Sequence, residues 1–328
     1  MVNRRRDVPF CGVDLEAIQS KSPIFDKEAL KLLHHYITER DEIHILKDIL
    51  KKNRPWTDDF YLHTYKFTNI RREHDRASKW LIENISNSLN STILERMYRT
   101  ILFRIYNRPI TGEILGLSDL KFDGDWVERC KAALSNRDSN VKLFTNAYKT
   151  GGTKTGLLSF CPEAENTDYA PLYAIQKLRE ENLAEDLLEC DSQDKVFKRL
   201  TEIKGFGKFI AYQVYVDLTY IKEFPFSENE FTVAGPGCYY GIQLLTGKDK
   251  EDTGFNGLTS EEILFWMRDN LVSKFTEEGL EFNPDKIFHD LPEEDRKFNV
   301  MSLENVMCEF SKYYTLHHGI RKARMKYR

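Results

Sequence analysis

The sequence predicts an all-helical fold, and three observations carry that expectation. Apolar residues recur near the helical repeat of about 3.6 residues through nearly every segment outside the loops. Strand-like alternation is scarce, and the breaks between periodic segments carry glycine, proline and asparagine. Residues 27–51 hold Leu30, Leu33, Ile37, Ile43, Leu46 and Leu50, one long helix or a broken pair ending at Asn53-Arg54-Pro55. Helices over 75–85 and 91–106 follow, divided by Ser86-Asn87-Ser88-Leu89-Asn90 and stopped at Asn107-Arg108-Pro109. Further helices are expected over 125–135, 170–187, 193–203, 206–220, 237–247, 259–275 and 301–316, with loops at 148–153, 162–168, 247–257 and 281–295. No internal repeat or low-complexity linker is present. Residues 27–328 therefore read as one helical domain of two lobes around a cleft, after a basic tail over 1–26.

With 41% hydrophobic and 12% aromatic residues, the 328-residue chain can bury a sizeable core, which excludes a disordered protein. Its 48 Lys and Arg stand against 52 Asp and Glu, a net charge of −4, so any attraction to nucleic acid must be local. The local candidates are Arg4-Arg5-Arg6, Arg71-Arg72 with Arg76 and Lys79, Lys204 with Lys208, and Arg321 to Lys326. Terminal runs of this kind also serve as solvated tails. The six cysteines, at 11, 130, 161, 190, 238 and 308, form no CxxC and no His/Cys cluster. A reduced, cytoplasmic protein without structural zinc or an iron–sulfur cluster is expected. No apolar run approaches the roughly 20 residues of a membrane span and no signal-peptide pattern opens the chain, so no membrane partner is expected.

The most informative motif is Ile203-Lys204-Gly205-Phe206-Gly207-Lys208-Phe209-Ile210. Val196, Leu200 and Ile203 lie on one helical period, and Ile210, Val214 and Leu218 on the next, so two helices, within about 193–220, reverse across the glycines. A reversal there leaves the first amides of the second helix pointing outward, where a phosphate oxygen is favoured. Lys204, Gly205, Phe206, Gly207 and Lys208 are thus candidate DNA-binding residues, and an ordinary glycine-capped turn is the plainer reading. The pattern resembles the helix-hairpin-helix of DNA repair glycosylases. Gly151-Gly152-Thr153-Lys154-Thr155-Gly156 lacks the GxxxxGK[ST] order, and no phosphate loop is expected.

Three other segments are dense in chemistry. Pro55-Trp56-Thr57-Asp58-Asp59 leads to Tyr65-Lys66-Phe67-Thr68-Asn69-Ile70-Arg71-Arg72-Glu73-His74-Asp75-Arg76. A helix from Asn69 onward would put Asn69, Arg72 and Arg76 on one face, flanked by Glu73 and Asp75. The plain alternative is a solvated helix braced by ion pairs worth about 0.3–0.5 kcal/mol each. Glu309, Lys312 and Tyr313 are helical neighbours, either a surface pair or a carboxylate and a cation aimed into one pocket. In Val233-Ala234-Gly235-Pro236-Gly237-Cys238, Gly235 and Gly237 would let a ligand approach backbone amides.

Together and in this order, these motifs resemble the helical domain of 5-hydroxymethyluracil DNA kinases. They are similar too to the alpha-glutamyl/putrescinyl thymine pyrophosphorylases, the amino acid:DNA transferases. The resemblance runs from about residue 27 to the C-terminus, and with no kinase P-loop beside it, it favours the transferase side. It implies a fold related to helix-hairpin-helix glycosylases and a role in thymine hypermodification of phage DNA. The partners would be double-stranded DNA carrying a modified thymine and a small amine donor, an amino acid or a polyamine. The amine would displace pyrophosphate from the 5-methylene of uracil.

That chemistry asks for cations at the leaving group, for which Arg72, Arg76 and Lys312 are suited, and for a carboxylate to take the amine's proton, which Glu309, Glu73 or Asp75 offers. The flipped base would need an aromatic partner such as Phe67, Trp56 or Tyr65, each of which could equally be core packing. Asn69, Gly235, Gly237 and Tyr313 complete the candidate substrate site. No cofactor is firmly implied, though pyrophosphate chemistry is compatible with Mg2+. True glycosylases place an aspartate after the hairpin, where this chain has Ser227-Glu228-Asn229-Glu230-Phe231. Glu228 or Glu230 could substitute, so a glycosylase stays open, as do a DNA-binding module without catalysis and a structural phage protein.

Overall fold

The structure, a computed structural model, describes residues 21–146, 151–248, 255–320 and 326. The basic clusters at 4–6 and 321–324 lie outside the described residues. The all-helical expectation holds: extended backbone pairs among the described residues only as two isolated bridges, Tyr65 with Lys326 and Phe255 with Leu258. The chain divides into two compact units. Among the described residues one is continuous, lying within Arg76–Ser227; the other joins residues 21–75 with those from Glu228 onward.

The discontinuous unit begins with α1 (Lys27–His44), whose Asp26 cap accepts the Ala29 N–H at 2.8 Å. The helix buries Ala29, Leu30, Leu33, Tyr36 and Ile37 and ends in a π turn, Ile45–Ile49. That turn shifts the register, so Leu50 is exposed instead of extending the buried stripe. A short α2 (Phe60–Thr64), capped by Asp59, follows. No helix spans Asn69 to Arg76. Arg71 and Asp75 have extended backbones on either side of a 3-10 turn, Arg72–His74. The Asp75 carboxylate takes the Asn69 N–H at 2.9 Å, a local bond that competes with helix formation. Asn69, Arg72 and Arg76 consequently share no helical face.

The continuous unit carries α3 (Arg76–Leu81), α4 (Ile93–Tyr106), α5 (Pro109–Ile114), α6 (Trp126–Ser135), α7 (Gly151–Phe160), α8 (Ala170–Glu180), α9 (Leu183–Glu189), α10 (Gln193–Thr201) and α11 (Lys208–Thr219). The helix expected over 170–187 is two helices because Asn182 sits at φ +54°. α4 starts at a Thr92–Glu95 capping box and is buried from Arg96 to Tyr106. Its Arg104 meets the buried Asp217 of α11, with Nη2 donating to Oδ1 at 2.6 Å. The Gly151–Gly156 segment opens α7. A Cβ on Gly156 would lie 2.4 Å from the Gly205 Cα, so α7 and the α10–α11 turn touch backbone to backbone. Gly156→Ala is expected to cost about 1–3 kcal/mol, because neither backbone can yield. Urea unfolding of the variant measures this.

The discontinuous unit resumes with α12 (Pro236–Leu245), α13 (Ser260–Glu277), α14 (Pro284–Ile287) and α15 (Val300–His317). α12 crosses α15 closely: a Cβ on Gly241 would lie 2.1 Å from the Met307 carbonyl oxygen, and one on Gly237 2.5 Å from Cys308 Sγ. The room at Gly237, which the sequence pattern assigns to a ligand, is filled by α15.

Candidate functional site

Within the discontinuous unit, the segment Phe67–Asp75 lies against α15. Asn305 of α15 donates to the Asn69 carbonyl at 3.0 Å, and Thr68 donates to the Asn305 side chain at 3.3 Å. Asn69 is the hub: its Nδ2 donates to the His74 carbonyl at 2.7 Å, its N–H to Asp75, and its Oδ1 accepts from Arg40 Nη2 at 2.5 Å. Arg40, on α1, is 3% exposed and also reaches the Phe67 carbonyl at 3.3 Å. With these bonds made inside the protein, Asn69 shapes the segment. Sequence reasoning misses Arg40 because it looks like one more charge on an amphipathic helix.

The segment's turn brings Asp75 into a charged cluster. Burial pushes its carboxyl up to about 7, with the Asn69 N–H, Arg40 and Arg72 acting to lower it and Glu309 to raise it. Arg72 itself is buried. On α15, Lys312 Nζ lies 3.3 Å from Glu309 Oε2, donates to the Lys66 carbonyl, and sits 4.1 Å from the centre of the Phe67 ring. Phe67 packs on Tyr36 at 5.7 Å and on Tyr313 at 6.0 Å. Tyr313 donates to Asp59 at 2.6 Å, and His35 lies 3.1 Å from the same oxygen. Burial would raise Asp59, but the bonds from His35, Tyr313 and the Leu62 N–H outweigh it and hold Asp59 down to about 2.

Arg72, Asp75, Glu309, Lys312, Phe67, Asn69 and Tyr313 are thus brought into one unit. Arg76 is exposed and opens α3 in the other unit. Glu73 is turned to Arg71, which also bonds Asp290, and His74 stacks on His44 at 4.5 Å. Trp56 donates to the Lys52 carbonyl at 2.7 Å in a surface loop. The Ala234 and Gly235 amides are taken by carboxylates, Glu261 at 2.9 Å and Glu304 at 3.2 Å. Burial pushes Glu304 up to about 7, against the Gly235 N–H and Arg72. Neither glutamate is visible as a site residue in the sequence, since each reaches the turn from a distant helix.

In the continuous unit, α10 and α11 reverse across Gly205, at φ +98°, as the glycine spacing predicts. Ile203 and Phe206 are buried, while Lys204, Gly207, Lys208 and Phe209 are exposed. Lys204 donates to the Ser159 carbonyl at 3.2 Å, and α11 starts at Gly207 with no side-chain cap. In the discontinuous unit, Glu228 accepts from Asn299 at 2.7 Å and Asn229 from the Val300 N–H at 3.0 Å, fastening the start of α15. Among the described residues no three His, Cys, Asp or Glu side chains are grouped to hold a metal ion, and no helix is long and apolar enough to cross a membrane.

Residues 27–322 match the family described as 5-hmdU DNA kinase, helical domain. The chain belongs to this family. It is 29% identical over 292 residues to the 5-hmdU DNA kinase of Bacillus phage SP10, an alignment covering 85% of this chain and 44% of that protein. The chain thus spans less than half the length of this curated relative of the helical-domain family. No solved structure matches it. The four motifs that carry the resemblance all fall inside the matched span.

Proposed function

We propose that the protein hypermodifies DNA by transferring an amine onto the 5-methylene of pyrophosphorylated hydroxymethyluracil, with release of pyrophosphate. The observation that carries this reading is the Asp75 carboxyl, held near 7 beside Arg40 and Arg72 and facing the charge of Glu309. In the reaction the amine nitrogen forms a bond to the methylene carbon, the carbon–oxygen bond to pyrophosphate breaks, and the proton lost by nitrogen passes to Asp75. A carboxylate with a pKa near neutrality is a better acceptor for that proton than an ordinary one. Arg72 and Lys312 supply positive charge where the leaving group becomes more negative, and Glu309 orients Lys312. Duplex DNA is held by the amides and lysine of Gly205–Lys208, a grip that weakens with salt and reads little sequence.

The test is transfer of a labelled amine to duplex DNA carrying pyrophosphorylated hydroxymethyluracil. Arg72→Lys is expected to lose about 10²-fold in rate, since one charge remains but the forked geometry is lost, and Glu309→Gln a similar amount, while both retain duplex binding. Full activity in both variants would sink the assignment. Release of free base in place of an amine adduct would replace it with a glycosylase.

A further inference from the structure

The loop between α1 and α2 has a composition and a geometry that the proposed chemistry does not use. Lys47, Lys51, Lys52 and Arg54 fall within eight residues, and the one carboxylate among them, Asp48, is already answered by Lys47 at 3.2 Å and His44 at 3.1 Å. Residues 51–55 are all exposed. The loop is nonetheless braced. The Arg54 guanidinium lies 5.3 Å from the Trp56 ring centre and the Lys47 ammonium 5.9 Å. Trp56 is tied to the Lys52 carbonyl, and Arg54 Nη2 donates to the His63 carbonyl at 2.5 Å. Beside this basic collar, Ile49 is 46% and Leu50 54% exposed, two adjacent aliphatic side chains displaced from the core by the π turn.

We propose that this loop is a second DNA contact, in which Lys51 and Lys52 meet phosphates of the duplex and Ile49 and Leu50 lie against the groove. The partner is a polyanion because Lys51 and Lys52 stand side by side and exposed on a chain of net charge −4, next to Lys47 and Arg54. It is DNA because exposed aliphatic side chains within a basic collar fit a groove wall or a base step, while a solvated lysine run has no use for them. This rests on the reading of duplex DNA as the substrate.

The experiment measures binding of the full chain to unmodified duplex by fluorescence anisotropy across a salt series, with no amine or pyrophosphate present. Failure of the transferase reading therefore leaves it standing. Lys51→Glu with Lys52→Glu spares the Trp56 brace, which uses only the Lys52 carbonyl. It is expected to weaken binding at least tenfold. Lys51→Ala with Lys52→Ala should make the slope of log affinity against log salt shallower by about 2. Ile49→Ser with Leu50→Ser should weaken binding with the slope unchanged. Parental affinity and slope in both lysine double variants, with helical circular dichroism intact, would overturn the proposal.

Discussion

Asp75→Asn is expected to abolish most amine transfer, by about 10²–10⁴-fold, while leaving duplex affinity within twofold. The amide keeps the shape of the carboxyl and can still accept the Asn69 N–H, so the loss reports the missing proton acceptor. The pH profile gives a second readout. In the parent, the rate should rise as pH increases through about 7, where Asp75 loses its proton, and then level off; the residual rate of Asp75→Asn should lack that inflection. Stability runs the opposite way. A carboxyl whose folded-state pKa is raised contributes stability that is fully present below the ordinary carboxylate pKa of about 3.9 and is lost as pH climbs to the folded value. Asp41 and Glu304, also pushed up to about 7 by burial, act in the same direction. Thermal unfolding between pH 4 and 8 should show the parent losing stability relative to Asp75→Asn as pH rises, a comparison in which the opposite trend from His44, His74 and His317, whose pKa values burial lowers, cancels. A parent rate that does not change across pH 6–8 would remove Asp75 as the base.

Asp217→Ala is expected to cost about 3–5 kcal/mol, a larger stability loss than that of Gly156→Ala. The substitution leaves the Arg104 guanidinium buried between α4 and α11 without its carboxylate. Urea unfolding should show the midpoint fall. The double variant Arg104→Met with Asp217→Leu should recover most of the loss, because an apolar pair of similar volume carries no charge that burial must compensate. Equal losses in the single and double variants would mean that the pair acts through shape and not charge. Since α11 begins at the Gly205–Gly207 turn, duplex binding should fall with stability in the single variant and return in the double.

The helices are legible in the sequence where apolar period and caps agree. α4, α11, α13 and α15 each lie within two residues of expectation at both ends. The helix expected across Asn69–Arg76 does not form because the decisive bond, Asp75 to the Asn69 N–H, is a side chain competing with the backbone, and periodicity cannot register that. The candidate site shows the same division. Arg72, Asp75, Glu309 and Lys312 are found by residue type, and they lie in one unit. Arg40, Glu261 and Glu304 escape because they act through contacts between segments far apart in sequence. Gly237 misleads in the opposite sense: a glycine in the first turn of a helix fits a ligand as well as a neighbouring helix, and only the position of Cys308 distinguishes them.

The insertion of Arg76–Ser227 between the two halves of the other unit sets an order on synthesis. A ribosome releases Asp75 early, with its partners on α15 still unmade, and next completes the whole segment that bears the glycine turn. Until Glu309 and Lys312 emerge, Asp75 and Arg72 have no cluster to join, so a nascent chain can present the turn proposed to grip DNA before it can assemble the site proposed for the chemistry.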